Sequence, residues 1–271
     1  MTRPELVIAE TPATAAALAA GRIADALAEA IAARGVAHWA TTGGSSAPPL
    51  YEVLSRPPVS TRVDWSRVHV WWGDDRYVPV DHPLSNALPF EQVMLRAGRR
   101  ATGTGGQPGV DPDGVVIPNQ QVHVMPMAAA IASGGGTADA ARAYEAELRR
   151  AGPEPDPDGW PRFDLLLLGI GPDGHLLSVF PGSPAWDAVE LVVAIPAPTH
   201  VEPHVERVTL HPAVVGAARR VLVVATGGAK ADVLARALRG DASPRELPAA
   251  AAAHERATWV LDRPAAGRID T

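Results

Sequence analysis

FDLLLLGIG, residues 163–171, is an apolar run of strand length. A strand that is apolar throughout, rather than in alternation, is one buried on both faces, as in parallel sheets sheathed by helices. The neighbouring segments repeat the pattern. VAHWAT (36–41) and VHVWW (68–72) read as strands upstream, and LVVAI (191–195), RVLVVAT (220–226) and ATWVLD (257–262) read as apolar strands downstream. Between them the pattern turns helical. Residues 12–34 are Ala-rich with apolar positions at helical spacing and stop at Arg34-Gly35, and Pro48-Pro49 opens a second helix. Residues 86–97, 137–150, 212–218 and 229–239 carry further helical patterns, and QVHVMP (121–126) is a shorter candidate strand. Residues 74–76, 98–120 and 153–162 read as loops, 98–120 being the most irregular. This alternation predicts an α/β fold with a mainly parallel sheet. No repeat or long linker divides residues 1–271, so one domain is expected.

Composition narrows the function. The chain has 271 residues, 46% of them hydrophobic and 20% charged, as in an ordinary globular protein. A net charge of −6 argues against a nucleic-acid or anionic-membrane binder, while leaving room for a local basic pocket that takes a small anion. With no Cys, disulfides, thiolate metal sites and cysteine nucleophiles are excluded. The first residues, MTRPELVIAE, lack the apolar core of a signal peptide, so the expected location is the cytoplasm. Lys230 is the single lysine among 24 basic Lys and Arg residues.

Ligands of open parallel sheets collect beyond the carboxyl ends of the strands, and four such ends here carry polar loops. Gly43-Gly44-Ser45-Ser46 follows the strand at 36–41; its glycines and the next helix N-terminus suit an anion. It has neither GxGxxG nor a Walker lysine, so no nucleotide is indicated. Gly73-Asp74-Asp75-Arg76 follows 68–72 and offers one guanidinium fork. Gly169-Ile170-Gly171-Pro172-Asp173-Gly174-His175 follows the 163–171 run, placing a histidine for proton transfer and an aspartate to orient its ring or bind substrate hydroxyls. Thr226-Gly227-Gly228-Ala229-Lys230 sets the lone lysine at a helix start. Singly, each loop also reads as an ordinary turn; their convergence on one sheet edge carries the argument.

Other candidates are weaker. Ser178 lacks a G-x-S-x-G setting and is not read as a nucleophile. The histidines form no H-x-x-x-H helical pair, because Pro203 lies between His200 and His204, so no metal site is expected. Arg207, in ERVTL, is a further cation.

In order and spacing, TTGGSSAPPLYEVL (41–54), VHVWWGDDRYVPVDHPLSN (68–86), FDLLLLGIGPDGHLLSVFPGSPA (163–185), ERVTLHP (206–212) and VLVVATGGAKADVLARAL (221–238) resemble the 6-phosphogluconolactonase family. That resemblance implies a three-layer α/β/α fold, similar to sugar-phosphate isomerases and deaminases, with a small attached subdomain. It also implies hydrolysis of the δ-lactone of 6-phosphogluconate in the oxidative pentose phosphate pathway, with no metal or organic cofactor. His175 matches the family's catalytic histidine, and Arg76 the substrate-facing arginine of its D-E-R motif. Gly43, Gly44 and Ser45 match its sugar-phosphate loop, and Arg207 and Lys230 look like the cations of its phosphate pocket. Asp75 stands where the family carries Glu, and G-G-S-S replaces G-G-S-T.

The expected chemistry is general-base attack of water on the lactone carbonyl by His175, with Asp173 and Arg76 as its catalytic neighbours. Ser46, Asp74 and Gly171 join the substrate-binding set. The expected partner is a small sugar-phosphate lactone, with no nucleic acid and no membrane, and the expected assembly a monomer or homodimer. An isomerase or amino-sugar phosphate deaminase of the same superfold is the alternative, although no carboxylate stands in Ser178-Val179-Phe180-Pro181-Gly182, where deaminases place an acid. A non-catalytic sugar-phosphate sensor is a second alternative.

Overall fold

Leu165–Leu168 is the middle strand of a seven-stranded sheet and is buried along its whole length. The structure, a computed structural model, describes residues 3–95 and 115–269. The strands are β1 (Glu5–Ala9), β2 (Ala37–Thr41), β3 (Val68–Trp72), β4 (Asp74–Arg76), β5 (Val122–His123), β6 (Leu165–Leu168), β7 (Val192–Ile195), β8 (Arg207–Leu210), β9 (Val221–Ala225) and β10 (Ala257–Asp262). The large sheet runs β1-β10-β9-β6-β2-β3-β5 and every neighbouring pair in it is parallel. From β2 the chain builds outward through β3 to β5, then returns to the other side of β2 with β6 and builds the opposite way. The loops after β2 and β6 therefore diverge, and the crevice between them is the expected ligand position.

Two expectations are corrected. Residues 74–76 are not a loop but strand β4, and the 191–195 run does not extend the parallel sheet. Both join β8 in a separate antiparallel sheet, β4-β8-β7. Strand β1 is a third element, one that the sequence pattern did not single out. It is an edge strand exposed over most of its length, although Leu6–Ala9 is apolar throughout. Within the expected helix at 86–97, Ala87–Phe90 is α-helical and Glu91–Leu95 is a wider turn. Its last two residues, and 98–114 of the irregular loop, lie outside the described residues.

The four long helices are α1 (Pro12–Arg34), α2 (Ala47–Leu54), α3 (Thr137–Ala151) and α4 (Ala231–Arg239). Helix α1 begins where Thr11 Oγ1 accepts the Thr14 N–H and ends at Gly35, whose φ of 78° lets its N–H reach the Ile31 carbonyl. Alternation along β2 and β3 sends Trp39 and Trp72 to one face, where they meet Phe90 edge-on at 5.8 and 5.4 Å. Trp71 goes to the other face, stacking on His123 at 3.8 Å and meeting Tyr144 of α3 edge-on. Two buried tyrosines tie these layers to the strand ends. Tyr51 of α2 donates to the Thr42 carbonyl, and Tyr144 accepts the Trp72 N–H. Among the described residues no helix is long and apolar enough to cross a membrane.

On the Trp71 face, His38, His69 and His123 form a ladder. His69 Nδ1 meets His123 Nε2 at 3.0 Å, and the Trp71 indole N–H donates to His38 Nδ1. Burial, with the neighbouring imidazoles, pushes His38 down to about 3, and burial lowers His69 and His123 as well. A buried neutral histidine stabilises the fold above its unfolded value of about 6.5, and that stability is lost as pH falls toward the folded value. The melting temperature should therefore drop by about 5 °C between pH 7.5 and pH 5. In His38→Gln, which keeps an acceptor for Trp71, calorimetry should find a smaller drop; an equal one would remove His38 from the account.

Candidate active site

The loops that follow β2, β6 and β9 meet strands β4 and β8 around a cavity of about 490 Å³. Gly43, Gly44, Ser45 and Ser46 line it from one side, and Gly171 and His175 from the other. Asp74, Arg76, Arg207 and Lys230 close it. Of the residues expected at the site, Asp173 alone is not on the wall; it stands behind His175.

His175 is fixed by its own turn. The Gly174 N–H donates to the Gly171 carbonyl and the Gly171 N–H to the His175 carbonyl, closing a tight loop in which Gly174 has a φ of 83°. Gly171 must be glycine for a separate reason: a Cβ there would lie 2.1 Å from Cε1 of the His175 ring. Asp173 Oδ1 accepts from His175 Nδ1 at 2.5 Å and from the His175 backbone N–H at 3.2 Å. Burial alone would raise the Asp173 carboxyl, but hydrogen bonds and charge from His175, then His200, hold it well below the usual carboxylate range. A carboxylate only accepts, so Nδ1 carries the proton and Nε2 keeps its lone pair on a residue that lines the cavity. Asp173 thus orients the ring, one of the two roles open to it from the sequence.

Arg76 is aimed through Asn86, whose Oδ1 accepts from Arg76 Nη1 at 2.7 Å while its Nδ2 donates to the Asp74 carbonyl. Gly43 passes directly beneath, and a Cβ there would sit 1.9 Å from Asn86 Oδ1. The first glycine of the loop thus serves the arginine as much as any anion. Asp75 fills the position of the longer acid by accepting the backbone N–H groups of Arg76 and Asn86 at 2.8 and 2.7 Å, with Ser85 Oγ on its second oxygen. Burial, opposed by these bonds and assisted by the Asp74 charge, pushes Asp75 up to about 6. Ser178, set aside as a nucleophile, donates to Asp74 Oδ2 at 2.6 Å.

Three cations face the cavity. Arg76 and Arg207 are register partners across β4 and β8. Arg207 is 2% exposed, packs its guanidinium over the Phe180 ring at 5.2 Å and leaves Nε without a partner. Lys230 ends a tight turn whose Gly227, with a φ of 90°, donates its N–H to Asp262. Desolvation lowers the Lys230 ammonium, and Asp262 partly offsets that. A buried arginine beside two half-buried cations has the makings of a phosphate pocket.

Residues 10–260 match the family described as glucosamine-6-phosphate isomerases/6-phosphogluconolactonase. The chain belongs to that family. Among its relatives, 6-phosphogluconolactonase of Mycobacterium tuberculosis is 39% identical over 256 residues, covering 93% of each chain. 6-Phosphogluconolactonase of Streptomyces coelicolor is 33% identical over 98% of this chain and 95% of its own. The solved structure of 6-phosphogluconolactonase from Trypanosoma brucei superposes with a TM-score of 0.82 at 26% identity, covering all of both chains. The mainly parallel sheet with its flanking helices is thus the fold of the family.

Four residues around this cavity escaped the sequence reading as contributors. Asn86, Ser178, Phe180 and His200 support it through side-chain contacts, some of them to distant segments. His200 Nε2, for example, meets Asp173 Oδ2 at 2.9 Å across 27 positions. No local motif announces such a pair.

Proposed function

We propose that the protein hydrolyses 6-phospho-D-glucono-1,5-lactone to 6-phospho-D-gluconate. The observation that carries the reading is a histidine whose Nδ1 is locked by Asp173 and whose Nε2 is free, in one cavity with Arg76, Arg207 and Lys230. The named lactonases at 33–39% identity over nearly the whole chain support it.

Lys230, Arg207 and the Gly43–Ser46 loop bind the phosphate, and Arg76 faces the substrate oxygens. His175 Nε2 takes a proton from water as the water oxygen bonds to C1, and the carbonyl electrons move onto the oxygen. The cations and backbone amides stabilise that oxyanion. Collapse of the tetrahedral intermediate breaks the bond from C1 to the ring oxygen, which takes the proton back from His175. The resulting acid loses its proton to solvent. A δ-lactone is already activated, so one general base and an oxyanion site suffice. Asp74 is tied to Ser178, and the 178–182 stretch adds no acid where deaminases place one, which favours the lactonase reading over the deaminase one.

We read the protein further as one catalytic unit over residues 1–271, acting in the cytoplasm as a monomer or homodimer. A charged sugar phosphate is retained where it is made, which supports the location.

The test couples freshly made lactone to excess 6-phosphogluconate dehydrogenase and NADP⁺, subtracting spontaneous hydrolysis. Turnover above background is expected, with no ammonia released from glucosamine 6-phosphate; the opposite pair of results overturns the reading. In Lys230→Met, KM should rise about tenfold with kcat little changed, since a phosphate contact acts in ground and transition states alike.

A further inference from the structure

His200 lies on the loop between β7 and β8, whose Val201 and Glu202 form part of the cavity wall. Its Nε2 meets Asp173 Oδ2 at 2.9 Å, while the other carboxylate oxygen holds His175 Nδ1 at 2.5 Å. Both rings pack on one side chain: Phe180 lies 4.8 Å from the His175 ring and 5.5 Å, edge-on, from the His200 ring. The carboxylate is therefore gripped at both oxygens by imidazoles from separate segments.

We propose that His200 is a positioning residue which, through Asp173, sets the orientation and proton affinity of His175. The kinetic part of this rests on the lactone-hydrolysis reading. With Asp173 ionised, Oδ2 only accepts, so the His200 Nε2 carries a proton toward it. That donor draws negative charge away from Oδ1 and so limits how strongly Asp173 favours a protonated His175. It also stops the carboxylate rotating, which would swing the catalytic ring. Other charges nearby are Arg207 on β8, which packs over Phe180, and, on the His200 loop itself, Glu202 paired with His204 at 3.1 Å. Glu202 is largely exposed to solvent, and it and Arg207 are common to all the variants below.

Removing the donor concentrates the carboxylate charge on His175, which stabilises the imidazolium. In His200→Ala the acidic limb of the kcat/KM profile should move to higher pH by about half a unit. kcat should fall roughly 3–10-fold, with KM changed less. His200→Gln carries an amide N–H where Nε2 stands and should restore most of both effects. A loss in KM alone, or a kcat loss with an unmoved limb that Gln fails to rescue, would reduce His200 to a prop for the loop and overturn the proposal. Nuclear magnetic resonance of the ring signals of the intact protein separates this from the reaction itself. The His175 titration midpoint should rise in His200→Ala and return in His200→Gln whatever the substrate. An unmoved midpoint rejects the coupling. Absence of hydrolysis by the unaltered protein, with the midpoint shift present, rejects only the lactonase reading.

Discussion

His175→Ala should lose about 10²–10⁴-fold in kcat for lactone hydrolysis, the usual contribution of a positioned general base. The loss belongs in kcat because the proposed phosphate contacts come from other elements: Lys230 after β9, Arg207 on β8 and the loop after β2. KM should change by no more than a few-fold. The residual rate should exceed spontaneous hydrolysis, since the cations still face the forming oxyanion. The acidic limb of the pH profile should vanish with the imidazole. The decisive measurement is the coupled assay from pH 5 to pH 8 on both proteins. A variant that keeps its rate would leave the reaction in place and remove His175 from it.

Gly171→Ala should cost about 100-fold in kcat, although it adds a single methyl group and removes no functional one. Gly171 is not among the positive-φ glycines, so alanine there meets no backbone penalty. The methyl carbon would nevertheless lie 2.1 and 2.2 Å from Cε1 and Nδ1 of the His175 ring. The ring cannot yield without leaving Asp173 Oδ1, and a misplacement near 1 Å costs on the order of 10²-fold. Stability should move far less than activity, because the clash lies at the cavity wall rather than in the core. Parallel thermal melts and turnover measurements check both halves. Full activity would mean that the ring works from a position other than the one Asp173 gives it.

The fold was legible wherever burial is two-sided. LLLL at 165–168 and VLVVA at 221–225 carry unbroken apolar runs, and VHVWW at 68–72 one broken only by His69, because helices cover both faces of the sheet. The edge strand β1 and the three-residue β4 were not legible. The first is a four-residue apolar run, Leu6–Ala9, too short for periodicity to separate a strand from a helix segment, and pairing with a strand more than 130 positions away creates the second. The site divides in the same way. Glycines, His175 and the basic residues announce themselves by type and by their place after strands. Asn86 and His200 are ordinary polar residues in loops, and only the folded chain brings them to Arg76 and Asp173.

Lys230 has one more consequence. An amine-directed acylating reagent finds a single side-chain target on this chain, and that target lines the cavity. Desolvation also leaves more of its amine unprotonated than an exposed lysine would have, favouring attack on the reagent. The cavity therefore carries its own labelling handle, and a reporter group could be attached there without engineering the protein.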